Sequence, residues 1–168
     1  MTEGHAVDTI SGAAAGPPAS SPPPTPRALI VSQYVKSVAF AVPAAPGVHA
    51  APKVLPVLTL DLDVDARQMD GSPTLFEVAL TLRCRGNAAP AGQAPPAPVI
   101  FEADIAYASL VSLHDATPAT LEALLLIEVP AMIFPAARNM LADLTREAGF
   151  APVLMQPVDF SALYRARR

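Results

Sequence analysis

Between Leu124 and Tyr164 the chain reads LLLIEVPAMIFPAARNMLADLTREAGFAPVLMQPVDFSALY, an apolar helical pattern with two prolines inside it and a glycine at its end. That stretch constrains the fold more than any other, because each interior proline removes a backbone donor and costs a helix about 3 kcal/mol. The spacing predicts a break or kink at Pro130 and Pro135, with Pro135 opening a second helical run. That run would carry Phe134, Ala137, Met140, Leu141, Leu144 and Ala148 on one face, and Gly149 would stop it as a left-handed C′ residue. Upstream, Thr117 is placed to N-cap, Pro118 sits at the tolerated first position, and Leu121, Leu124 and Leu125 form an apolar stripe. Downstream, Asp159 opens a final helix, with Val158 positioned to staple onto Leu163 and arginines near the end to suit the helix dipole.

The middle of the chain changes period. Leu58, Leu60, Leu62 and Val64 alternate with Thr59, Asp61, Asp63 and Asp65, and Asp70-Gly71 follows as a turn signal. Phe76, Val78, Leu80, Leu82 and Cys84 then alternate with Glu77, Thr81, Arg83 and Arg85. A long Gly/Pro/Ala-rich loop at 86–98 separates these from a strand at Val99–Leu113, with Phe101, Ala103, Ile105 and Tyr107 on one face and Glu102, Asp104 and Ala106 on the other. An earlier strand, Ala28–Val42, is less regular but rich in β-formers: Val31, Tyr34, Val35, Val38 and Phe40. Four strands joined by loops and turns imply an antiparallel sheet, and the helices must cover one of its faces. Residues 1–27, with Pro17, Pro18, Pro22, Pro23, Pro24 and Pro26 among Ala, Gly and Ser, read as a solvated tail ahead of a single domain at 28–168.

Composition removes several classes of function. Fifteen acids against 11 bases leave a net charge of −4, the wrong sign for a phosphate-driven nucleic-acid contact. Apolar residues are 52% of the chain, yet no uninterrupted apolar run nears the ~20 residues of a membrane span, and none is longer than Ala123–Ile127. Met1–Arg27 lacks the basic and apolar regions of a secretory signal, and the one cysteine, Cys84, forms no internal disulfide, so a cytoplasmic protein without direct membrane insertion is expected. Asp61-x-Asp63-x-Asp65 has the look of a calcium loop, but Ala66 stands where glycine is needed and no glutamate closes the loop. A wet strand face explains it better. His114-Asp115 has no nucleophile in a suitable context, His5, His49 and His114 lack metal-ligand spacing, and the glycines are isolated. Arg83 and Arg85 flank Cys84 and could lower its thiol pKa, although a small buried apolar residue is the better reading. No catalytic group, metal or cofactor is therefore expected.

Several segments, in order, resemble the SecB family of protein-export chaperones over Ala28–Tyr164. They are Gln33-Tyr34-Val35-Lys36-Ser37-Val38-Ala39-Phe40 followed by Pro43-Ala44-Ala45-Pro46, then Leu60-Asp61-Leu62-Asp63-Val64 and Glu77-Val78-x-Leu80. Phe101-Glu102-x-Asp104-Ile105-x-Tyr107 follows, and Ile133-Phe134-Pro135-x-Ala137-Arg138, Gly149-Phe150-x-Pro152, Pro157-Val158-Asp159-Phe160 and Leu163-Tyr164 are the most specific part.

The resemblance implies an α+β protomer, a four-stranded antiparallel sheet with a long kinked helix and a C-terminal helix. It implies a homotetramer, assembled as a dimer of dimers, that holds unfolded secretory preproteins without ATP and hands them to the SecA motor. On that basis Phe40, Val42, Phe101, Phe134, Phe150 and Leu154 are candidates for a client groove, Glu102 and Asp104 for the SecA contact, and Ala103, Ile105 and Tyr107 for the assembly interface. Ser37 and Ala41 stand where some family members are acidic, and the chain ends at Arg168 without an acidic tail. The same features suit a SecB-like chaperone dedicated to an antitoxin or another client. From a different class, a small-ligand-binding α+β domain would require polar groups converging in a closed pocket.

Overall fold

The computed structural model describes residues 25–50, 55–88 and 98–166, so most of the proline-rich segment 1–27 and of the loop at 86–98 lies outside the described residues. The alternating segments form four strands: β1 (Arg27–Ala41), β2 (Val57–Gln68), β3 (Leu75–Asn87) and β4 (Val99–His114). They make one antiparallel sheet in the order β1-β4-β3-β2. A four-residue helix, α1 (Gly47–Ala50), lies between β1 and β2, and the Ala88 N–H donates to the Pro98 carbonyl at 2.9 Å to close the base of the β3–β4 loop.

The irregular pattern of the first strand has a structural cause. Its pairing with β4 slips at Val31 and again at Lys36, so the two-residue period is interrupted twice within fifteen residues. By contrast, β2 and β3 stay in register from Val57↔Asn87 to Gln68↔Phe76, which keeps Leu58, Leu60, Leu62 and Val64 on the same face as Phe76, Val78, Leu80, Leu82 and Cys84.

Helices cover that face. α2 (Pro118–Ala123) begins after Thr117, whose N–H donates to the Thr120 hydroxyl at 2.9 Å, and it continues through a π-turn at Leu124–Glu128 into α3 (Val129–Glu147). The sequence predicts a second run opening at Pro135. Instead one continuous helix of 30 residues passes through both prolines. Pro130 is the second residue after the π-turn, whose wider i→i+5 spacing has already departed from the regular ladder, and Pro135 sits on the exposed side. Pattern alone had concealed a second property of this helix: by length and composition it is apolar enough to cross a membrane, although no single apolar run in it is long.

The C-terminal end of α3 follows the sequence closely. Gly149 takes φ +84, its N–H donates to the Arg146 carbonyl at 2.9 Å, and the Phe150 N–H reaches the Thr145 carbonyl at 3.0 Å, the two bonds of a Schellman motif. Thr145 is buried and fully used: its hydroxyl donates to the Leu141 carbonyl and accepts from the Val153 N–H at 3.0 Å, strapping segment 150–158 to the helix. α4 (Phe160–Ala166) is capped by Asp159, whose carboxylate accepts from the Ala162 N–H at 3.0 Å.

The core lies between the sheet and this helical layer as three adjoining clusters. Phe76, Val78, Val111 and Leu113 meet the α2 end at Leu124, Leu125 and Val129. Leu80 meets Ile133, Phe134, Ala137 and Phe160 at the centre. Leu82, Cys84, Phe101, Ala103 and Ile105 meet Leu141 and Val153 at the far end. Gly86 is part of that last cluster's geometry, since a Cβ there would lie 2.5 Å from Phe101 Cε1. Gly86→Ala is expected to cost about 1–3 kcal/mol through displacement of the buried ring, measured as a lower urea midpoint with an unchanged slope.

Candidate functional site

Two surfaces have the making of a site, one on each face of the sheet. On the helix-facing side, Phe40 lies near the end of β1, Phe101 near the start of β4, and the turn after α3 supplies Phe150. Phe40 and Phe101 stack at 5.9 Å with 15° between planes, and Phe101 and Phe150 lie 5.4 Å apart. His49 of α1 adds a fourth ring, 5.3 Å from Phe150, and its edge also lies against Gly149, where a Cβ would meet it at 3.4 Å. The left-handed glycine thus ends the helix and also leaves space for the imidazole.

Beyond this aromatic row the apolar surface continues uncovered. Leu58 and Leu60 on β2 are 39% and 43% exposed, Val35 and Val38 on β1 are equally open, and Leu154 is 77% exposed. The β3 and β4 side chains between them are buried. The helical layer therefore roofs the middle of the sheet and leaves apolar margins along both edges.

The outer face is charged, and its charges are paired. Arg83 on β3 lies 3.0 Å from Asp61 on β2 and 3.4 Å from Asp104 on β4, and Arg85 lies 2.9 Å from Glu102. These residues wall a broad depression that also includes Ala39 and Ala41. Walls of exposed, mutually paired ions differ from the apolar pocket with converging polar groups that a small ligand needs. Further along the same face Glu77 is only 5% exposed and gathers three donors: the Tyr34 hydroxyl, Lys36 Nζ at 2.7 Å and Arg67 Nε at 2.7 Å. Reaching Tyr34 and Lys36 means crossing β4, where the small Ala108 stands opposite Tyr34. Lys36 and Tyr34 as donors outweigh burial and hold the Glu77 carboxyl down to about 2.

The residues singled out from sequence separate into distinct environments. Phe40, Val42, Phe101 and Phe150 come together, with Phe101 as a fully buried floor and the others half-buried around it. Phe134 does not join them; it packs edge-on against Phe160 at 5.8 Å in the central core. Leu154 stands in solvent on the strapped segment. On the outer face Glu102 is half-buried and Asp104 exposed, each engaged by an arginine.

The assembly candidates divide by burial. Ala103 and Ile105 are enclosed in the protomer's own core, because the β4 pleat turns them toward the helices, and Tyr107 is half-buried beside them. Cys84 also faces the core, while Arg83 and Arg85 point to the other face. Burial pushes its thiol up to about 11, so the flanking arginines do not activate it. Asp61, Asp63 and Asp65 occupy the outer row of β2. Among the described residues, no group of three or more His, Cys, Asp or Glu side chains could hold a metal ion. Sequence reasoning missed His49, which only the turn after Pro46 brings to Phe150, and the role of Glu77, whose partners are distant in sequence.

Fold and surfaces together define an α+β protein that presents apolar margins and a charge-paired sheet rather than enclosing a substrate. Comparison with known proteins gives the family. Residues 22–168 match the family model described as SecB, preprotein translocase subunit. The chain is 39% identical over 152 residues to the protein-export protein SecB of Gluconacetobacter diazotrophicus, covering 89% of this chain and 88% of that one. It is 38% identical over 161 residues to the protein of the same name from Granulibacter bethesdensis, covering 95% and 90%. Among solved structures it resembles a Mycobacterium tuberculosis SecB-like chaperone in complex with an antitoxin peptide, with TM-score 0.63, 20% identity, and 79% and 91% of the two chains covered. The chain belongs to the SecB family.

The Glu77 cluster sets a pH dependence. Its folded-state value lies below the ordinary 4.5, so the stabilisation is fully present above 4.5 and is lost as pH falls toward about 2. Glu77→Gln is expected to melt below the wild type by a constant margin above pH 4.5, with the two curves converging between there and pH 2; thermal unfolding across a pH series measures it.

Proposed function

We propose that this chain is an ATP-independent export chaperone that holds unfolded secretory preproteins and delivers them to the SecA motor. The observation that carries the reading is the match of nearly the whole domain to SecB, made by a protomer whose apolar margins are left uncovered. Exposed apolar surface on this scale marks a binding face, and an extended client lying along it needs no catalytic group. Phe40, Val42 and Phe150 over the Phe101 floor, with Leu154 at the rim, form the client surface. Phe134 supports it from the core.

The protein works as a homotetramer, a dimer of dimers in the cytoplasm. Supporting this are the exposed Leu29, Val31, Tyr34, Val35 and Val38 along β1 and the apolar helix at Pro118–Glu147, of whose most apolar window a third is buried within one protomer. A second and third subunit would cover what one chain cannot. β1 takes the place of Ala103 and Ile105 as the assembly surface. Glu102 and Asp104 contact SecA from the outer face, and the ion pairs to Arg85 and Arg83 moderate that contact.

The test is light scattering on the purified protein, with and without a slow-folding preprotein diluted from denaturant. A tetrameric mass that shifts to a soluble client complex supports the reading; a monomer that leaves client aggregation unchanged overturns it. Leu154→Asp is expected to leave the melting temperature unchanged and to weaken client retention about tenfold, the effect of one leucine no longer buried on binding.

A further inference from the structure

The client surface carries one ring that is not a hydrocarbon. Phe40, Phe101 and Phe150 have no hydrogen-bonding side-chain atoms, and Val42, Val48 and Leu144 packed around them are apolar as well. His49 extends the row by its contact with Phe150, yet it stands exposed. The backbone fixes its place. The Ala45 N–H donates to the Val42 carbonyl at 3.1 Å, and the Val48 and His49 N–H groups reach the Ala44 and Pro46 carbonyls, each at 3.0 Å. Val48, on the same short helix, packs against the core. The Nδ1–Cε1 edge of the imidazole is turned to Gly149, which leaves Nε2 on the side away from the end of α3. Among the described residues neither ring nitrogen has a hydrogen-bond partner.

We propose that His49 is a main-chain anchor of the client surface: its imidazole hydrogen-bonds to a backbone amide of an extended apolar segment lying on the Phe40–Phe101–Phe150 row. The proposal rests on the holdase reading and deepens it by naming the atoms of the client that are recognised. A segment pressed onto phenylalanine rings gives up water at its own N–H and C=O groups, and a buried backbone group left without a partner is costly. The phenylalanines offer no replacement for that water. A neutral imidazole has one donor and one acceptor, and a protonated one has two donors. His49 can therefore meet a client carbonyl in either state and a client N–H in the neutral one. Every residue of a client brings the same amide, so this bond adds affinity without asking for a sequence. The phenylalanines select apolar side chains, and His49 holds the backbone that bears them.

The experiment uses the full chain and two fluorescent peptides of alternating leucine and serine. One has ordinary amides; in the other every second amide is replaced by an ester, a weaker acceptor with no N–H. His49→Phe keeps a ring beside Phe150 and removes its polar atoms, whereas His49→Gln keeps a donor and an acceptor without the ring. His49→Phe is expected to weaken binding of the amide peptide about fivefold, the effect of one net hydrogen bond, and to leave the affinity for the ester peptide unchanged. His49→Gln is expected to stay within about twofold of the wild type on the amide peptide. Circular dichroism and the melting temperature check that the fold is the same in all three proteins. Undiminished binding of the amide peptide by His49→Phe overturns the proposal, and so does an equal loss on both peptides, which would make the shape of the ring the cause. In either case a wild type that binds the amide peptide and suppresses preprotein aggregation keeps the chaperone reading; a wild type that does neither takes both down.

Discussion

A single α-helix is about 10–12 Å across, and strands in a sheet are spaced about 4.8 Å apart. One helix therefore roofs about two strands. This sheet has four, and one long helix provides most of its cover. The burial pattern follows directly: β3 and β4 beneath the helix are closed, and β1 and β2 at the sides stay open on the same face. The apolar margins are thus a consequence of geometry, and a protomer built this way cannot bury all of its own apolar surface. In the proposed reading, subunit contacts and client capture are two uses of the same uncovered area.

How much of this was legible in the sequence depended on how local the determining physics is. The strands with clean alternation, the Gly149 stop and the Asp159 cap were readable because each is decided by residues a few positions apart. Pro135 was misread for the same reason. Taken alone it should open a helix, and only the π-turn ahead of Pro130 and the packing of Ile133, Phe134 and Ala137 on the sheet carry the helix through. Alternation along Phe101–Tyr107 identified two faces but could not say which met the helices, and Ala103 and Ile105, taken from the resemblance as interface candidates, lie on the face that does. Glu77 shows the limit most clearly. Its partners lie 41, 43 and 10 residues away, and no sequence pattern marks a carboxylate that reaches across an intervening strand.

The two faces of the sheet also differ in how they hold charge. Outside, cations and carboxylates form rungs across the strands, Asp61–Arg83–Asp104 and Arg85–Glu102, which tie β2, β3 and β4 together in solvent where each pair contributes little alone. Glu77 is the exception, because burial and three donors give its contacts more weight. It fixes the bulged part of β1 at Lys36, so the irregular edge is held from the outer face while the aromatic row anchors its end from the inner one.

The position of Cys84 bears on what such a protein can safely handle. A protein that keeps unfolded chains in contact with its surface meets whatever thiols those chains carry, and exchange begins with a thiolate. Here the one sulfur of the cysteine type is enclosed beneath Phe101 and Leu141 and stays protonated at neutral pH. It can neither attack a guest nor be captured by one, so whatever is held remains covalently untouched and can be released intact.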